Sequence, residues 1–123
     1  MDHSKNLLDG AGDTGLPRGF DASAIGLLAV LANPIRIRVL AGLGGTEKPV
    51  RELGHELSLH ESTLSHALSV LQDCGLVEYR IVKRHHYYRL TSAITVAQRE
   101  SMLVVAVSMP QIECTLRLPL QSA

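Results

Sequence analysis

The sequence predicts an α+β fold, mainly α with one β-hairpin. Three observations lead to it. Apolar residues recur at helical spacing from residue 22 to residue 75. That stretch is cut by helix-start and helix-stop signals at Asn33-Pro34, Gly44-Gly45 and Gly75. After Gly75 the period drops to two, over residues 76–82 and 86–90, with Lys83-Arg84-His85 between the two runs. At 123 residues, one domain is expected, and an apolar fraction of 46% is enough to build its core.

Each element has a local reason. Residues 1–20, rich in Gly, Asp and Asn and holding Pro17, read as a flexible tail. Asp21 is placed to cap a first helix over 22–32. Asn33 caps the second, Pro34 suits its first turn, and Ile35, Val39, Leu40 and Leu43 form its apolar face. A short third helix carries Val50, Leu53 and Leu57, and a tight connection over 58–60 follows it. The fourth helix starts at about Glu61, turns Leu64, Leu68 and Leu71 inward, and ends before Gly75. The two β-rich runs make a hairpin with the basic connection at its tip.

A last helix is expected over 92–108, ending before Pro110 and apolar nearly all round in 102–107. Such a helix at the end of a small chain needs a partner, so the sequence predicts a homodimer held by the first and last helices. Residues 110–123, with Cys114 and two prolines, are expected to be an irregular tail, leaving 21–109 as the folded domain. No internal repeat or low-complexity tract is present.

Composition excludes several functions. Lys+Arg and Asp+Glu are 12 each, which rules out a uniformly basic protein but not a basic face. The stretch 79–99 holds Arg80, Lys83, Arg84, Arg89 and Arg99 and no acid, and 33–51 holds Arg36, Arg38, Lys48 and Arg51 against Glu47 alone. A fold that joins these stretches makes one basic surface; otherwise they are ordinary solvated faces. An aromatic content of 3% argues against a base-stacking platform, and two cysteines exclude a disulfide scaffold and a four-Cys zinc site. The first 20 residues contain Asp2, Asp9 and Asp13 and no apolar run, so no secretory signal is expected. The longest apolar stretches, 24–32 and 102–109, fall well short of the ~20 residues that span a bilayer. The expectation is a cytoplasmic chain with no membrane partner and reduced thiols. No Gly-x-Ser-x-Gly, Gly-x-x-x-x-Gly-Lys or His-Glu-x-x-His motif is present, and Ser65 and His66 are helix neighbours that cannot pair as nucleophile and base. The chain is therefore not expected to be an enzyme.

Helix, short helix, turn, helix and hairpin is the order of a winged helix-turn-helix. The residues carry a closer resemblance. The stretch 31–40, Leu-Ala-Asn-Pro-Ile-Arg-Ile-Arg-Val-Leu, is similar to the opening "LA-x-P-x-R-x-x-[IV]-L" of the ArsR/SmtB repressors. The stretch 61–71, Glu-Ser-Thr-Leu-Ser-His-Ala-Leu-Ser-Val-Leu, resembles their recognition helix, "QSTVSHHLKVL". Cys74-Gly75-Leu76-Val77 resembles "AGLV", and Arg84 with Tyr87-Tyr88-Arg89-Leu90 resembles the wing "GR-x-x-YYRL". The resemblance covers roughly residues 25–91. It implies a homodimeric transcriptional repressor that binds an imperfect palindrome in double-stranded DNA and is released by an inducer. The alternative is a winged-helix regulator with no metal or thiol sensing, controlled by a protein partner or by its expression level.

On the fourth helix, Ser62, Thr63, Ser65, His66 and Ser69 point away from the apolar stripe. Short hydroxyls let a helix backbone approach a duplex and reach base edges or phosphates, and His66 can donate to either. Lys83 and Arg84 at the hairpin tip are placed for phosphate or the adjacent minor groove. Arg36 joins them as a backbone contact, with a solvated or ion-paired place the alternative for Arg38. The sequence departs from the family at Lys83, where Gly is usual, at Glu61, where Gln is usual, and at Ser58, where Gly is common.

The family's metal sites are not repeated. The third helix has no Cys, and 92–108 holds Glu100 but no His or Asp. A branch that senses cadmium and lead has a Cys at the position of Cys74, another one turn earlier, and a third near the C-terminus; here the middle position is Val70. Cys74 and Cys114 leave three readings open: plain packing, a soft transition or heavy metal ion, or thiol redox. Joining the two would couple the DNA-reading helix to the dimer contact. Met1-Asp2-His3 has the arrangement that wraps Cu(II) or Ni(II), and His85-His86 read as DNA-facing or solvated.

Overall fold

Asn33 sets the first corner. Its side chain accepts from the Arg36 N–H at 3.1 Å, and Pro34 takes the first helical position, so helix α1 (Ser23–Leu31) gives way sharply to α2 (Pro34–Leu43). The computed structural model describes residues 17–19 and 22–121. The Asp21 cap, Met1-Asp2-His3 and nearly all of the expected tail over 1–20 lie outside the described residues. The α2 helix leads through a two-residue strand, β1 (Lys48–Pro49), into α3 (Val50–Leu57) and α4 (Glu61–Asp73).

The two helix ends that frame the helix-turn-helix use the same device. Past α4, Gly75 is left-handed at φ 80°; its N–H reaches the Gln72 carbonyl, and the Leu76 N–H reaches Leu71 at 3.0 Å. Past α3 the left-handed place belongs to Ser58, at φ 53°, and the Leu59 N–H returns to the Gly54 carbonyl at 3.0 Å. A serine there costs roughly 1–2 kcal/mol more than glycine would, and the turn forms regardless. Gly54 allows a close approach: a Cβ on it would stand 3.3 Å from Leu64 Cδ2, tighter than an ordinary van der Waals contact.

Leu31, Val39, Leu40, Leu43, Leu53, Leu64, Leu68, Leu71 and Leu76 pack into one buried cluster. Of the residues the helical spacing points inward, Val39, Leu40, Leu43, Leu53, Leu64, Leu68 and Leu71 are buried, and Ile35, Val50 and Leu57 are half-buried against the same core. Each fully buried leucine contributes about 1.5–3 kcal/mol relative to exposure. The hairpin follows as β2 (Val77–Val82) and β3 (His85–Leu90), antiparallel, with Val82 opposite His85. The β1 strand pairs on the other side of β3, Lys48 opposite Tyr88, giving a three-stranded wing in the order β1-β3-β2.

The C-terminal third corrects two expectations. The helix expected over 92–108 does not form, and 110–123 is not irregular. Strands β4 (Ile94–Arg99), β5 (Met102–Met109) and β6 (Ile112–Pro119) make a second antiparallel sheet in that order. Pro110 does not stop a helix; with Gln111 it forms the turn between β5 and β6, whose first pair is Met109 with Ile112. The sheet lays Ile94, Val96, Val105 and Val107 on the same core as the helices. Alternate residues of these strands face opposite ways. An apolar run that would encircle a helix therefore puts half its side chains into the chain's own interior.

Candidate nucleic-acid interface

The α4 helix is a ridge with a groove on each flank. Its inward residues Leu64, Ala67, Leu68 and Leu71 are buried, and Ser62, Thr63, Ser65, His66 and Ser69 are all exposed, as the helical period requires. On the wing side, Ser65, Ser69 and Gln72 face Arg84, His85 and His86 across an open groove of about 900 Å³. Arg51, His55 and Ser58 line it as well. On the opposite flank, Ser62, Thr63 and His66 share a smaller hollow with Asn33 and Arg36. The structure thus divides the predicted site residues into two sets, one facing the wing and one facing the start of α2.

The wing tip is built without glycine. Lys83 and Arg84 form a two-residue turn at φ 50° and φ 72°, the two positive values of a type I′ hairpin turn. Both side chains are exposed. Behind the tip the wing surface is aromatic: Tyr79 lies 4.9 Å from the His86 ring and 5.2 Å from Tyr88, and Ile81 beside them is 58% exposed.

The two basic stretches are joined, and three of their nine cations are ion-paired. Arg80 holds Glu47 with both Nε and Nη2, at 2.8 and 2.7 Å. This bond holds the Glu47 carboxyl below its ordinary range and raises the Arg80 guanidinium. Lys48 pairs with Glu56 at 2.6 Å and Arg89 with Glu78 at 2.7 Å. Arg36 donates from Nε to the Val30 carbonyl at 2.7 Å and is half-buried; Arg38 donates to the Leu57 carbonyl at the end of α3. Among the described residues, Arg51, Lys83 and Arg84 are left on this face with neither an ion pair nor a side-chain hydrogen bond, while Arg36 and Arg38, bonded to carbonyls, keep their charge. Sequence reasoning counts Arg51 in a basic stretch without assigning it to the site, and it does not find β1, the strand that carries Lys48 and leads into α3.

Cys74 and Cys114 are free, half-buried thiols packed against the core. Burial pushes the Cys74 thiol up, Asp73 adds to the rise, and Arg36 opposes it. Cys114 sits on β6 opposite Val107 rather than behind a dimer helix. Among the described residues no three His, Cys, Asp or Glu side chains cluster closely enough to hold a metal ion.

A ridge helix, a short support helix anchored by the buried Leu53 and a three-stranded wing define a winged helix-turn-helix protein. Residues 33–79, from the cap of α2 into β2, match the model of the bacterial regulatory protein, arsR family. The structure is similar to that of HlyU from Vibrio cholerae, a protein named a transcriptional activator, at 38% identity and a TM-score of 0.54, covering 58% of this chain and 77% of that one. The chain belongs to the arsR family. It is also similar to the biofilm growth-associated repressor of Xylella fastidiosa, 37% identical over 67 residues, and to a repressor SmtB homolog of Synechocystis, 39% identical over 62. These matches cover 54% and 50% of this chain and span 59% and 47% of those relatives. The strands β4 to β6 lie beyond the stretch the family model matches. No single helix among the described residues is long and apolar enough to cross a membrane.

Proposed function

We propose that the protein is a sequence-specific, double-stranded-DNA-binding transcriptional repressor that acts as a homodimer on an imperfect palindrome. The observation that carries this is the α4 ridge: a face of short hydroxyls and one imidazole, flanked by a wing whose tip presents Lys83 and Arg84. Two such helices related by a twofold would enter successive major grooves about 34–36 Å apart. Ser62, Thr63, Ser65, His66 and Ser69 read base edges or adjacent phosphates; Lys83, Arg84 and Arg51 hold the backbone. Arg36 contributes only its terminal nitrogens, since Nε is engaged. The naming of a similar protein as an activator and of others as repressors leaves repression as the reading of the majority.

Of the two regulatory readings, the one without metal or thiol sensing has structural support. Cys74 is packed and its thiol raised, and among the described residues neither cysteine belongs to a group of three His, Cys, Asp or Glu side chains that could hold an ion. The test begins with duplexes selected from a random pool by the protein. Ser65→Ala and His66→Ala should cut the preference for selected over random duplex. Arg84→Ala should weaken both and lower the salt slope by about one unit. Failure to bind any duplex at low salt refutes the reading.

A further inference from the structure

The C-terminal sheet ends in an open edge whose sequence is complementary to itself. Among the described residues β6 has β5 on one side and no strand on the other. Two bonds just outside the ladder set its phase. The Leu120 N–H reaches Ser101 at 2.7 Å, and the Ser108 N–H reaches Ala93 at 2.9 Å. With the register of Val105 opposite Leu116, the even-numbered residues of β6 turn their N–H and C=O groups to β5. Glu113, Thr115 and Arg117 therefore turn theirs outward, and all three side chains are exposed. Pro119, next in that series, has no N–H and ends it.

Glu113 and Arg117 cannot satisfy each other. Four residues apart along a strand, they stand roughly 13 Å from one another. Neither takes part in the ion pairs found among the described residues, and Glu113 accepts only from the Ser108 hydroxyl, at 3.1 Å.

We propose that β6 is the dimer contact: two copies pair β6 edge to edge, antiparallel, across a twofold at Thr115, joining the two C-terminal sheets into one. This rests on the homodimeric reading above and assigns it a surface. Only this register places Glu113 opposite the partner's Arg117 and Arg117 opposite the partner's Glu113. Moving the axis to residue 113 or 117 sets like charges face to face, and moving it to 114 or 116 leaves both charges unpaired across the seam. The chosen register also makes every outward-facing residue a member of a bonded pair that exchanges both N–H···O bonds. On the inner face it sets Leu118, 36% exposed in one copy, opposite the partner's Ile112.

The test is charge reversal and restoration, read by analytical ultracentrifugation of the full chain. Glu113→Arg and Arg117→Glu should each weaken dimerisation by roughly tenfold or more, because each sets like charges opposite one another twice in the dimer. The double variant Glu113→Arg/Arg117→Glu should recover it. Thr115→Cys, which needs no charge change, should let a short bifunctional thiol reagent link position 115 of both copies, located by mass spectrometry; a bonded pair holds its Cα atoms about 5.5 Å apart, within the reach of such a linker. A parent chain that stays monomeric refutes both the dimeric reading and this surface. A dimer untouched by the single reversals, a double variant as weak as either single, or no link at 115 refutes this surface alone and turns attention to Ile25 and Leu28, exposed on α1.

Discussion

Replacing Lys83-Arg84 by Asn-Gly should make the protein more stable and a poorer DNA binder at once. Val82 and His85 form the last pair of the hairpin, which leaves Lys83 and Arg84 alone in the left-handed region. Each L residue held there costs roughly 1–2 kcal/mol, and Asn-Gly is the pair a type I′ turn favours. The low end of that range, taken twice, less the ~0.5–1 kcal/mol of extra chain entropy that glycine loses, gives a net gain of about 1 kcal/mol. For a chain of this length that raises the Tm by roughly 3–6 °C. The same change removes two of the cations left without an ion pair on the binding face. If both reach phosphate, the slope of log K against log salt falls by about 1.8. Thermal melts followed by circular dichroism and duplex anisotropy between low and moderate salt measure the two effects on one sample. A variant that melts no higher removes the strain argument. One that keeps its affinity and its salt slope removes the wing tip from the interface.

Three further outcomes follow from single contacts. A Cβ on Gly42 would stand 3.0 Å from Leu53 Cδ1, and Leu53 is fully buried. Leu53→Ala should cost about 2–5 kcal/mol in urea unfolding, and adding Gly42→Ala to it should recover up to ~1 kcal/mol, because the helix gains alanine's propensity and the clash is gone. Cys74, its thiol raised by burial, should react with iodoacetamide more slowly than glutathione in a Cys114→Ser background at neutral pH, and faster as pH rises; a rate at or above glutathione contradicts the packing reading. Glu47, held low by Arg80, should titrate by NMR below the ordinary Glu range and return to it in Arg80→Ala. Because the unfolded carboxyl takes its proton at higher pH, the stability from this pair is present above the unfolded value and drains away as pH falls through the folded one.

The helix-turn-helix was legible because its signals are local and agree with one another. Asn33-Pro34, the leucines of α3 and α4 and the Gly75 cap each specify one corner, and each appears where the period places it. The exposed face of α4 follows from the same period. What spacing cannot supply is the partner across α4, so the division into a wing groove and an α2 flank emerges only in three dimensions. The neutralisation of Arg80, Lys48 and Arg89 was hidden for the same reason: Glu47 and Arg80 are 33 residues apart in the chain. The β1 strand is two residues long and contains a proline, which leaves no pattern to read.

The C-terminal third misleads in a more instructive way. The run 102–107, Met-Leu-Val-Val-Ala-Val, has no period, and an apolar run of that length fits a buried helix segment or a buried strand equally. The β-branched residues on either side, Ile94, Thr95, Val96, Ile112 and Thr115, favour strands, and Pro110 suits the first place of a turn as well as the end of a helix. The difference between helix and strand decides whether this run needs a partner. A helix apolar all round requires one; a strand with the same residues does not, since Leu103, Val105 and Val107 are absorbed by the chain's own core. The need for a partner passes instead to the backbone of β6, whose outward N–H and C=O groups and unpaired Glu113 and Arg117 are satisfied together by one register with a second copy.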